Sequence, residues 1–493
     1  MMLVSEILSN ANGLIENGFN DKAITLLADN FQQQNESPQI HFQLIHLLQQ
    51  QGDFENSEKV LFDAEKKFAG LLQLILFRSS QSKGIGNHPQ SIQYLYQYLE
   101  VNQENPIVWA TLGQLLEQLN RLPELEELFN KIPQTFTTRP LIALVKAKLF
   151  RRQSKLPAAL EILNDIEDYP NNQWLSASID FEYSRIFDKL GEYNKAWDSA
   201  TEANNSTANV WPKRWQQSDQ IGLMLKQYSK QPISQNDAKS KQQSPCFIIG
   251  FPRSGTTLLD RILESHSNIV VINEEPLIEG IVNQLGGFDY FSKLEKLTVE
   301  ETQYFRKQYF SQLKTIQPNF SEDNIIIDKL PLNLLYIPLI NTIFPESRII
   351  LSIRHPIDSC LSCYFQEFVA APALAKFLSF ESSVDFYQQL FSSTEFYLEK
   401  NSNVFNIRYE DILSDLESSL TGLLEFLGLD WQPQLENFHQ HSENKPINTP
   451  SYHQVVQPLY KDSVYRWKNY EKYCSSANKK LNYWIDKFGY SEK

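Results

Sequence analysis

A glycine-containing turn between a short apolar stretch and an amphipathic stretch is the first place where this sequence could do chemistry. The turn spans residues 250–257, GFPRSGTT, after CFII and before LLDRILESH. In a strand–turn–helix, backbone N–H groups point into the turn and the helix N-terminus adds roughly +0.5 of an elementary charge. The turn therefore predicts a phosphate site. Its candidate ligands are Arg253, Ser254, Gly255, Thr256 and Thr257.

The residue at position 256 limits which phosphate this turn could handle. The spacing copies G-x-x-x-x-G-K-[ST], but Thr256 replaces the lysine. Triphosphate hydrolysis relies on that lysine and on Mg²⁺ held by the next hydroxyl. The substitution therefore disfavours a nucleotide kinase, and we expect no metal at the site.

A second anion-binding pair follows a later apolar stretch. RIILSI leads into Arg354, and Ser362 comes eight residues further on in a predicted helix. An arginine at a strand end offers a bidentate fork to an anion, and a serine hydroxyl one turn or two along can meet it there. Two anchors about 100 residues apart suit a nucleotide that carries two separate phosphate groups.

The elements that must position these residues change in kind along the chain. After residue 244, short apolar stretches (CFIIG, IVVIN, NIIID, RIILSI, VFNIR) alternate with helical ones. This alternation predicts an α/β domain with a parallel sheet and helices on both faces. Cys360 and Cys363 form a lone C-x-x-C inside a predicted helix and are interpreted as core residues.

The first 228 residues have helical periodicity and a repeat. Breaking residues recur 34 positions apart at Gly18, Gly52 and Gly86, and Asn120, Ser154 and Gly191 continue the series. Five positions after each, a small residue recurs, except for Leu125. This predicts an all-α, tetratricopeptide-like solenoid in which a left-handed residue separates two helices. The alternative is an irregular helical bundle.

Five segments resemble one enzyme family. They are similar to segments of tetratricopeptide-repeat sulfotransferases of bacterial type. The five segments are PRSGTTLLDRILESH, DKLPLNLLYIPLINTIFP, RHPIDSCLSCYFQEF, IRYEDIL and QVVQPLY…RWKNYEKY. They are more distantly similar to tyrosylprotein sulfotransferases. The resemblance covers residues 245–475 and implies a P-loop-like sulfotransferase domain with 3′-phosphoadenosine 5′-phosphosulfate as donor and adenosine 3′,5′-bisphosphate as product.

The resemblance also implies roles for individual residues. The turn at 250–257 would hold the 5′-phosphosulfate, and Arg354 with Ser362 the 3′-phosphate. Glu274 stands where the family has its general base, and its neighbour Glu275 remains an alternative. The other implied contacts are Lys329 on the leaving phosphate, Ser451 near the sulfuryl group, and Tyr409 and Arg466 around the adenosine and 3′-phosphate.

The acceptor is less defined than the donor. Tyrosylprotein enzymes carry an arginine two residues after the glutamate, and here that residue is Pro276. Protein tyrosine, a glycan and a small molecule therefore all stay open as acceptors. The repeats favour recognition of a protein or peptide, or self-association into a homo-oligomer.

Composition bounds the remaining classes. A net charge of −14 over 493 residues argues against a nucleic-acid surface, and four scattered cysteines argue for a reducing, cytoplasmic setting. No stretch approaches the length of a membrane span. We expect three parts: repeats at 1–228, a polar linker at 229–244 and a sulfotransferase domain at 245–493. The alternative function is a repeat scaffold with an inactive donor-binding domain.

Overall fold

The computed structural model contains two compact units, Met1–Pro170 and Asn171–Lys493. It describes residues 3–16, 19–31, 37–166, 172–217, 219–228, 244–294, 296–318, 320–321, 323–438 and 463–490. The predicted linker lies outside these residues, apart from position 244. Among the described helices, none is both long and apolar enough to cross a membrane.

The first unit consists of helices that pack in consecutive pairs. They are α1 Val4–Glu16, α2 Asn20–Phe31, α3 Pro38–Gln50, α4 Phe54–Lys67, α5 Leu72–Gly84, α6 His88–Val101, α7 Pro106–Gln118, α8 Leu122–Phe129, α9 Pro140–Arg152 and α10 Leu156–Asn164. This confirms the helical character predicted for the N-terminal part.

The turns inside the pairs have the predicted left-handed backbone. Its φ is 76° at Gly52, 78° at Gly86, 57° at Asn120, 59° at Ser154 and 75° at Gly191. Gly18, the first residue of this series, lies outside the described residues. A single residue in this conformation ends one helix and lets the chain reverse into the next.

The small residues that follow each turn are fully buried, and so is the exception. Leu125 has no exposed surface. It fits because Gly113 faces it: a Cβ on Gly113 would lie 2.9 Å from Val145 Cγ1 and 3.4 Å from Leu125 Cδ1. The larger Leu125 side chain on the second helix of this pair thus fills the space left by the missing side chain of Gly113 on the first.

The second unit has four described helices that precede an α/β domain. Its helices are α11 Gln173–Lys189, α12 Tyr193–Val210, α13 Lys213–Gln217, α14 Gln220–Lys226, α15 Thr256–Glu264, α16 Leu277–Gln284, α17 Tyr290–Leu294, α18 Val299–Ile316, α19 Ile337–Ile343, α20 Pro356–Tyr364, α21 Phe380–Lys400, α22 Tyr409–Ser414, α23 Leu416–Leu427 and α24 Glu471–Lys487. Its strands are β1 Cys246–Gly250, β2 Ile269–Asn273, β3 Ile325–Lys329, β4 Ile349–Ile353 and β5 Val404–Arg408.

The strands form one parallel sheet in the order β2-β3-β1-β4-β5. Side chains of β1 alternate between two cores: Phe247 and Ile249 pack in one cluster, and Cys246 and Ile248 in the other. Both faces are therefore covered, as predicted for an α/β domain. Because all five strands run the same way, their carboxyl ends share one edge, where open α/β sheets bind ligands.

The helical pair α11–α12 belongs to the second unit, whereas the sequence periodicity predicts it as part of the repeats at 1–228. It keeps the repeat geometry, since Ser184 Oγ donates to the carbonyl of Ala196 at 2.9 Å, as Ser79 Oγ does to that of Ser91 at 3.1 Å. It joins the second unit through an aromatic contact: Trp197 stacks on Tyr473 with ring centroids 4.2 Å apart. The boundary between the two units is therefore set by side-chain packing, because the helical periodicity of the sequence continues across it.

Candidate active site

Each strand delivers one predicted site residue or turn to the shared carboxyl edge. The turn at 250–257 follows β1, Glu274 follows β2, Lys329 ends β3, Arg354 follows β4 and Tyr409 follows β5. The register aligns them, because Asn273 on β2 pairs beside Lys329 on β3. Residues as far apart in sequence as Gly250 and Tyr409 thus meet along one side of the sheet.

The turn after β1 is closed tightly and depends on its glycines. Gly255 has a φ of 98°, and a Cβ there would lie 2.5 Å from Tyr409 Cδ2. A Cβ on Gly250 would lie 2.5 Å from the carbonyl oxygen of Ser352. Arg253 also has a left-handed φ, 69°, which favours small or turn-forming residues. Strain of this kind is typical of ligand-binding turns.

Two polar groups of this region are buried without a partner among the described residues. Ser254 is 1% exposed, and its hydroxyl oxygen makes no hydrogen bond. Arg354 uses its terminal nitrogens on backbone carbonyls, Nη1 to Arg253 at 3.3 Å and Nη2 to Ser463 at 2.5 Å, while its Nε stays unpaired. Buried donors without partners call for a ligand or a water molecule. The tight glycine turn and these donors fit a phosphate group.

The two predicted anchors are joined directly. Arg253 Nε donates to Ser362 Oγ at 3.1 Å, so the turn after β1 meets the helix after β4. Tyr409 lies beside both, because the Arg354 guanidinium sits 5.1 Å from the centre of its ring. The Tyr409 hydroxyl is 2.8 Å from Ser463 Oγ. These contacts hold the two anchors in a fixed relation.

Lys329 is a fully buried ammonium held between two carboxylates. Its Nζ donates to Glu274 Oε1 at 2.7 Å and lies 3.0 Å from Asp260 Oδ2. Lys329 and Asp260 have almost no exposed surface, whereas about a third of the Glu274 side chain is exposed. A buried lysine needs such partners. Glu274 is therefore the member of this triad that faces outward.

The backbone at Glu274 is itself unusual. Its φ is 57°, in the left-handed region that few glutamates adopt, and its N–H donates to the carbonyl of Lys329 at 2.8 Å. Such strain persists only where the surroundings hold it. The consequence is that Glu274 turns away from the strand direction while staying next to Lys329.

Burial alters the ionisation of the carboxyls behind the site. Desolvation raises the pKa of Asp260 to about 6, although Lys329 and Arg261 oppose the shift. It raises the pKa of Asp328 to about 7, although Tyr309 and Asn333 donate hydrogen bonds to it at 2.9 and 3.2 Å. Loss of hydration, which favours the neutral form of an acid, dominates both shifts.

A cavity of about 360 Å³ opens at this edge and has two chemically different ends. One end is lined by Arg253, Gly255, Thr256, Thr257, Glu274, Arg354 and Tyr409. The other is mostly apolar, and includes Ile221, Met224, Phe288, Leu335, Tyr336, Phe368, Val369 and Leu374, with Glu279 among them. The arrangement can bind an anion at one end and an apolar molecule at the other, and Glu274 at the first end contacts the buried Lys329 behind it.

Among the described residues implied by the resemblance, Lys329, Ser362 and Arg466 are not in the cavity lining. Lys329 and Ser362 contact the lining residues Glu274 and Arg253, whereas Arg466 has other partners. Arg466 is ion-paired with Asp188, with Nε 3.0 Å from Oδ1, and its guanidinium lies 4.7 Å from the Phe365 ring centre. Ser451 lies outside the described residues. Arg466, in the segment before α24, is thus paired with a residue of α11.

The cysteines and other potential metal ligands give no further site. Cys360 and Cys363 are fully buried, and desolvation raises the pKa of both thiols. Within the described ranges, no group of three or more His, Cys, Asp or Glu side chains is placed to hold a metal ion.

Sequence reasoning missed Asp260, Ser463 and Glu279. Asp260 interrupts the run LLDRIL one turn after the phosphate turn, on a helix in which it and its neighbours are all buried. An acidic residue on a buried helical face is a signal that it needs a partner. Glu279 and Ser463 carried no comparable signal, because each acquires its neighbours only through the tertiary fold.

Comparison with known families gives a match in this part of the chain. Residues 245–433 match the model described as the sulfotransferase family. The match begins just before β1 and includes all five strands.

Two relatives are similar in sequence. An uncharacterized protein of Aquifex aeolicus (strain VF5) is 25% identical over 460 residues, which cover 89% of this chain and 58% of that protein. The nodulation protein NoeE of Sinorhizobium fredii (strain NBRC 101917 / NGR234) is 25% identical over 126 residues, or 22% of this chain and 29% of NoeE. The chain therefore spans well under two thirds of the length of either relative.

Structure comparison finds similarity to solved sulfotransferases. The sulfotransferase domain of the Synechococcus PCC 7002 olefin synthase is 20% identical, covers 48% of this chain and 91% of that domain, and has a TM-score of 0.35. Sulfotransferase STF9 of Mycobacterium avium is 11% identical, with 69% and 97% coverage and a TM-score of 0.33.

Proposed function

Because residues 245–433 form a sulfotransferase-family domain, we propose that this chain transfers a sulfuryl group from 3′-phosphoadenosine 5′-phosphosulfate to an acceptor hydroxyl. One observation carries the proposal. The phosphate-type turn, Arg354 and the Lys329–Glu274 pair all lie along one sheet edge, and the cavity there is open to Arg253, Arg354 and Glu274. A donor with phosphates at its 5′ and 3′ positions fits two linked anion anchors.

The anchors would divide the donor between them. The backbone of the 255–257 turn and the Ser254 hydroxyl would hold the 5′-phosphosulfate, and Arg354 with Ser362 the 3′-phosphate. Tyr409, beside the Arg354 guanidinium, would contact the nucleoside. Backbone N–H groups at a helix N-terminus suit an anion without any metal.

Transfer needs a proton acceptor and a positive charge on opposite sides of the sulfur. Glu274 would take the proton of the acceptor hydroxyl as the new S–O bond forms. The S–O bond to the 5′-phosphate breaks, and the bisphosphate leaves with the bonding pair. Lys329 would stabilise the charge that grows on that leaving oxygen, an interaction stronger in the transition state than before it.

The Lys329–Glu274 ion pair of the described structure would have to open for this step. Asp260 makes that feasible, since it also holds Lys329 at 3.0 Å and is itself buried. When Glu274 turns to the acceptor, Lys329 keeps one carboxylate partner. We therefore assign Asp260 as a positioning residue.

A binding titration of the full chain tests the donor assignment. We expect adenosine 3′,5′-bisphosphate to bind at least tenfold more tightly than ATP, about 1.4 kcal/mol, with no change when EDTA removes Mg²⁺. Ser254→Ala should weaken bisphosphate binding. Ser265→Ala is the matched control, because that hydroxyl is also buried but already donates to the carbonyl of Ile262.

The outcomes separate the candidate functions. Equal or Mg²⁺-dependent binding of ATP contradicts the sulfotransferase proposal and favours a kinase. Tight bisphosphate binding without any sulfuryl transfer favours the scaffold, in which the repeats recruit a partner and the donor domain is inactive.

A further inference from the structure

The apolar end of the cavity comes from segments on both sides of the sheet edge. Ile221 and Met224 of α14 are buried on one side, and Phe288 and Leu335 lie near them. The loop before the 3₁₀ turn Ala373–Phe377 supplies Phe368, Val369, Ala371 and Pro372. A molecule that enters here exchanges water for apolar contacts, at about 25 cal/mol per Å² of apolar surface buried.

One carboxylate interrupts this apolar wall. Glu279, in the first turn of α16, lines the cavity and keeps exposed surface there. Desolvation by the surrounding protein raises its pKa. Its charge contributes to raising the pKa of Tyr336, which lines the same end, so the two side chains are close enough to interact. The described structure shows no ion pair for Glu279.

The charges of the cavity are segregated. Its described lining includes two arginines, Arg253 and Arg354, and both belong to the anion-binding end. At the apolar end, the charged group in the lining is Glu279. An anion placed there would be repelled by this carboxylate. A neutral ligand would leave the carboxylate partly desolvated without a partner, whereas a cation would offset that cost.

We propose that the acceptor is an apolar hydroxy compound that carries a cationic amine, and that Glu279 is the specificity residue that binds the amine. This inference rests on the proposed sulfotransferase function. The apolar wall would hold the carbon skeleton, the hydroxyl would face Glu274, and the amine would pair with Glu279. Acceptors whose nearby groups are acidic are disfavoured.

Two matched series of acceptors test the charge preference with the full chain and the sulfuryl donor. The phenols are tyramine, 4-ethylphenol and 3-(4-hydroxyphenyl)propionate, and the aliphatic alcohols are 6-aminohexanol, hexanol and 6-hydroxyhexanoate. In the series that is turned over, we expect kcat/KM to be highest for the amine. It should fall about tenfold for the neutral compound and further for the acid, consistent with a charged hydrogen bond.

Glu279→Gln tests the residue. We expect it to lower kcat/KM for the amine about tenfold, through KM, and to raise turnover of the acid, while bisphosphate affinity stays unchanged. Glu425→Gln, an exposed change on α23 outside the cavity lining, is the control and should leave the order intact. A purely structural role for Glu279 in the first turn of α16 would not reverse a charge preference.

Several results would overturn the inference. One is equal turnover of the acid and the amine by the wild type, and another is an unchanged order of acceptors in Glu279→Gln. Failure to turn over any of the six compounds, with bisphosphate binding as expected, rejects this acceptor class and leaves the donor assignment standing. Absence of bisphosphate binding rejects the proposed function itself.

Discussion

At one end of the cavity, Arg253 and Arg354 come from turns that directly follow strands of one sheet, whereas at the other end Met224, Phe288 and Leu374 come from three separate segments. The first end is fixed by backbone geometry, including left-handed residues that admit little variation. The second end is a packed wall, in which side chains of different shape could fill the same space. The rigid turns therefore determine which chemical group binds at the first end. The packed wall at the second end can vary to fit ligands of different size and charge.

The largest expected effect falls on Glu274, the carboxylate in the lining of the anion-binding end. Glu274→Gln should lower kcat by about 10²–10⁴, the range for loss of a general base, and leave bisphosphate affinity within about twofold. The reason is that the amide keeps the size of the side chain but cannot accept a proton. Single-turnover transfer to the best acceptor, together with a bisphosphate titration, measures both quantities.

Glu275→Gln is the matched control for this prediction. The neighbouring carboxyl has a pKa raised by burial, which makes it a chemically reasonable base. If Glu275→Gln abolishes transfer and Glu274→Gln does not, the roles of the two residues must be exchanged. If both changes lowered kcat only slightly and to the same degree, neither carboxylate would be the general base.

The next effect concerns the anion-binding end. Arg354→Ala should weaken adenosine 3′,5′-bisphosphate binding by about 10–100-fold, since hydrogen bonds to charged groups contribute roughly 1.5–3 kcal/mol. Equilibrium titration measures the change, and adenosine 5′-phosphate provides a comparison, because it lacks the phosphate assigned to Arg354 and should lose less affinity.

Arg408→Ala is the matched control for position and charge. Arg408 ends β5 and donates to the carbonyl of Gly489 at 2.9 Å, and it is not among the described residues of the cavity lining. We expect it to bind the bisphosphate normally. Equal weakening by both changes would mean that general positive charge, and not the Arg354 position, governs binding.

The contrast between the ends also explains how far the sequence could be interpreted. The strand–turn–helix at 246–264 carries its chemistry within 19 consecutive residues, so its glycines and hydroxyls were visible as a phosphate turn. The strand segments were likewise predictable, because residues buried on both faces form continuous apolar runs. The position of Glu274 depended on the resemblance, since an isolated glutamate after a strand has many ordinary uses.

The remaining features arise from tertiary packing. The apolar end draws on α14, the segment at 287–289 and the loop at 368–372, which no local pattern connects. The pairing of Arg466 with Asp188 joins positions 278 residues apart. The helical period continued through α12, so the periodicity gave no sign that packing assigns α11–α12 to the second unit.

Buried acids behind the anion-binding end predict a pH effect on stability. The pKa of Asp328 is raised by desolvation to about 7 from an ordinary value of 3.8. Between these values the folded chain holds a proton that the unfolded chain has lost. This group's contribution is therefore complete below pH 3.8 and lost as the pH rises towards 7, with a slope of up to about 1.4 kcal/mol per pH unit.

Asp328→Asn should remove this slope. The free energy of unfolding of the variant relative to the wild type should rise from pH 5 to pH 7, measured by urea denaturation at each pH. Asp289→Asn, at an exposed position, is the control and should follow the wild type. A difference that is flat with pH would mean that Asp328 stays ionised when folded.

The smallest expected effect tests whether Arg466 belongs to the anion-binding end at all. The resemblance assigns it to the donor, but the structure pairs it with Asp188, which also accepts a hydrogen bond from Tyr470 at 2.6 Å. If this pairing is its role, Arg466→Gln and Asp188→Asn should each lower the free energy of unfolding by about 1 kcal/mol, the scale of a partly exposed ion pair. The double variant should lose less stability than the sum of the two single losses, because both changes remove the same interaction.

Bisphosphate affinity should stay within about twofold in all three variants. A tenfold loss of affinity in Arg466→Gln alone would instead show that the arginine leaves Asp188 to meet the donor, and the anion-binding end would then extend to the segment before α24.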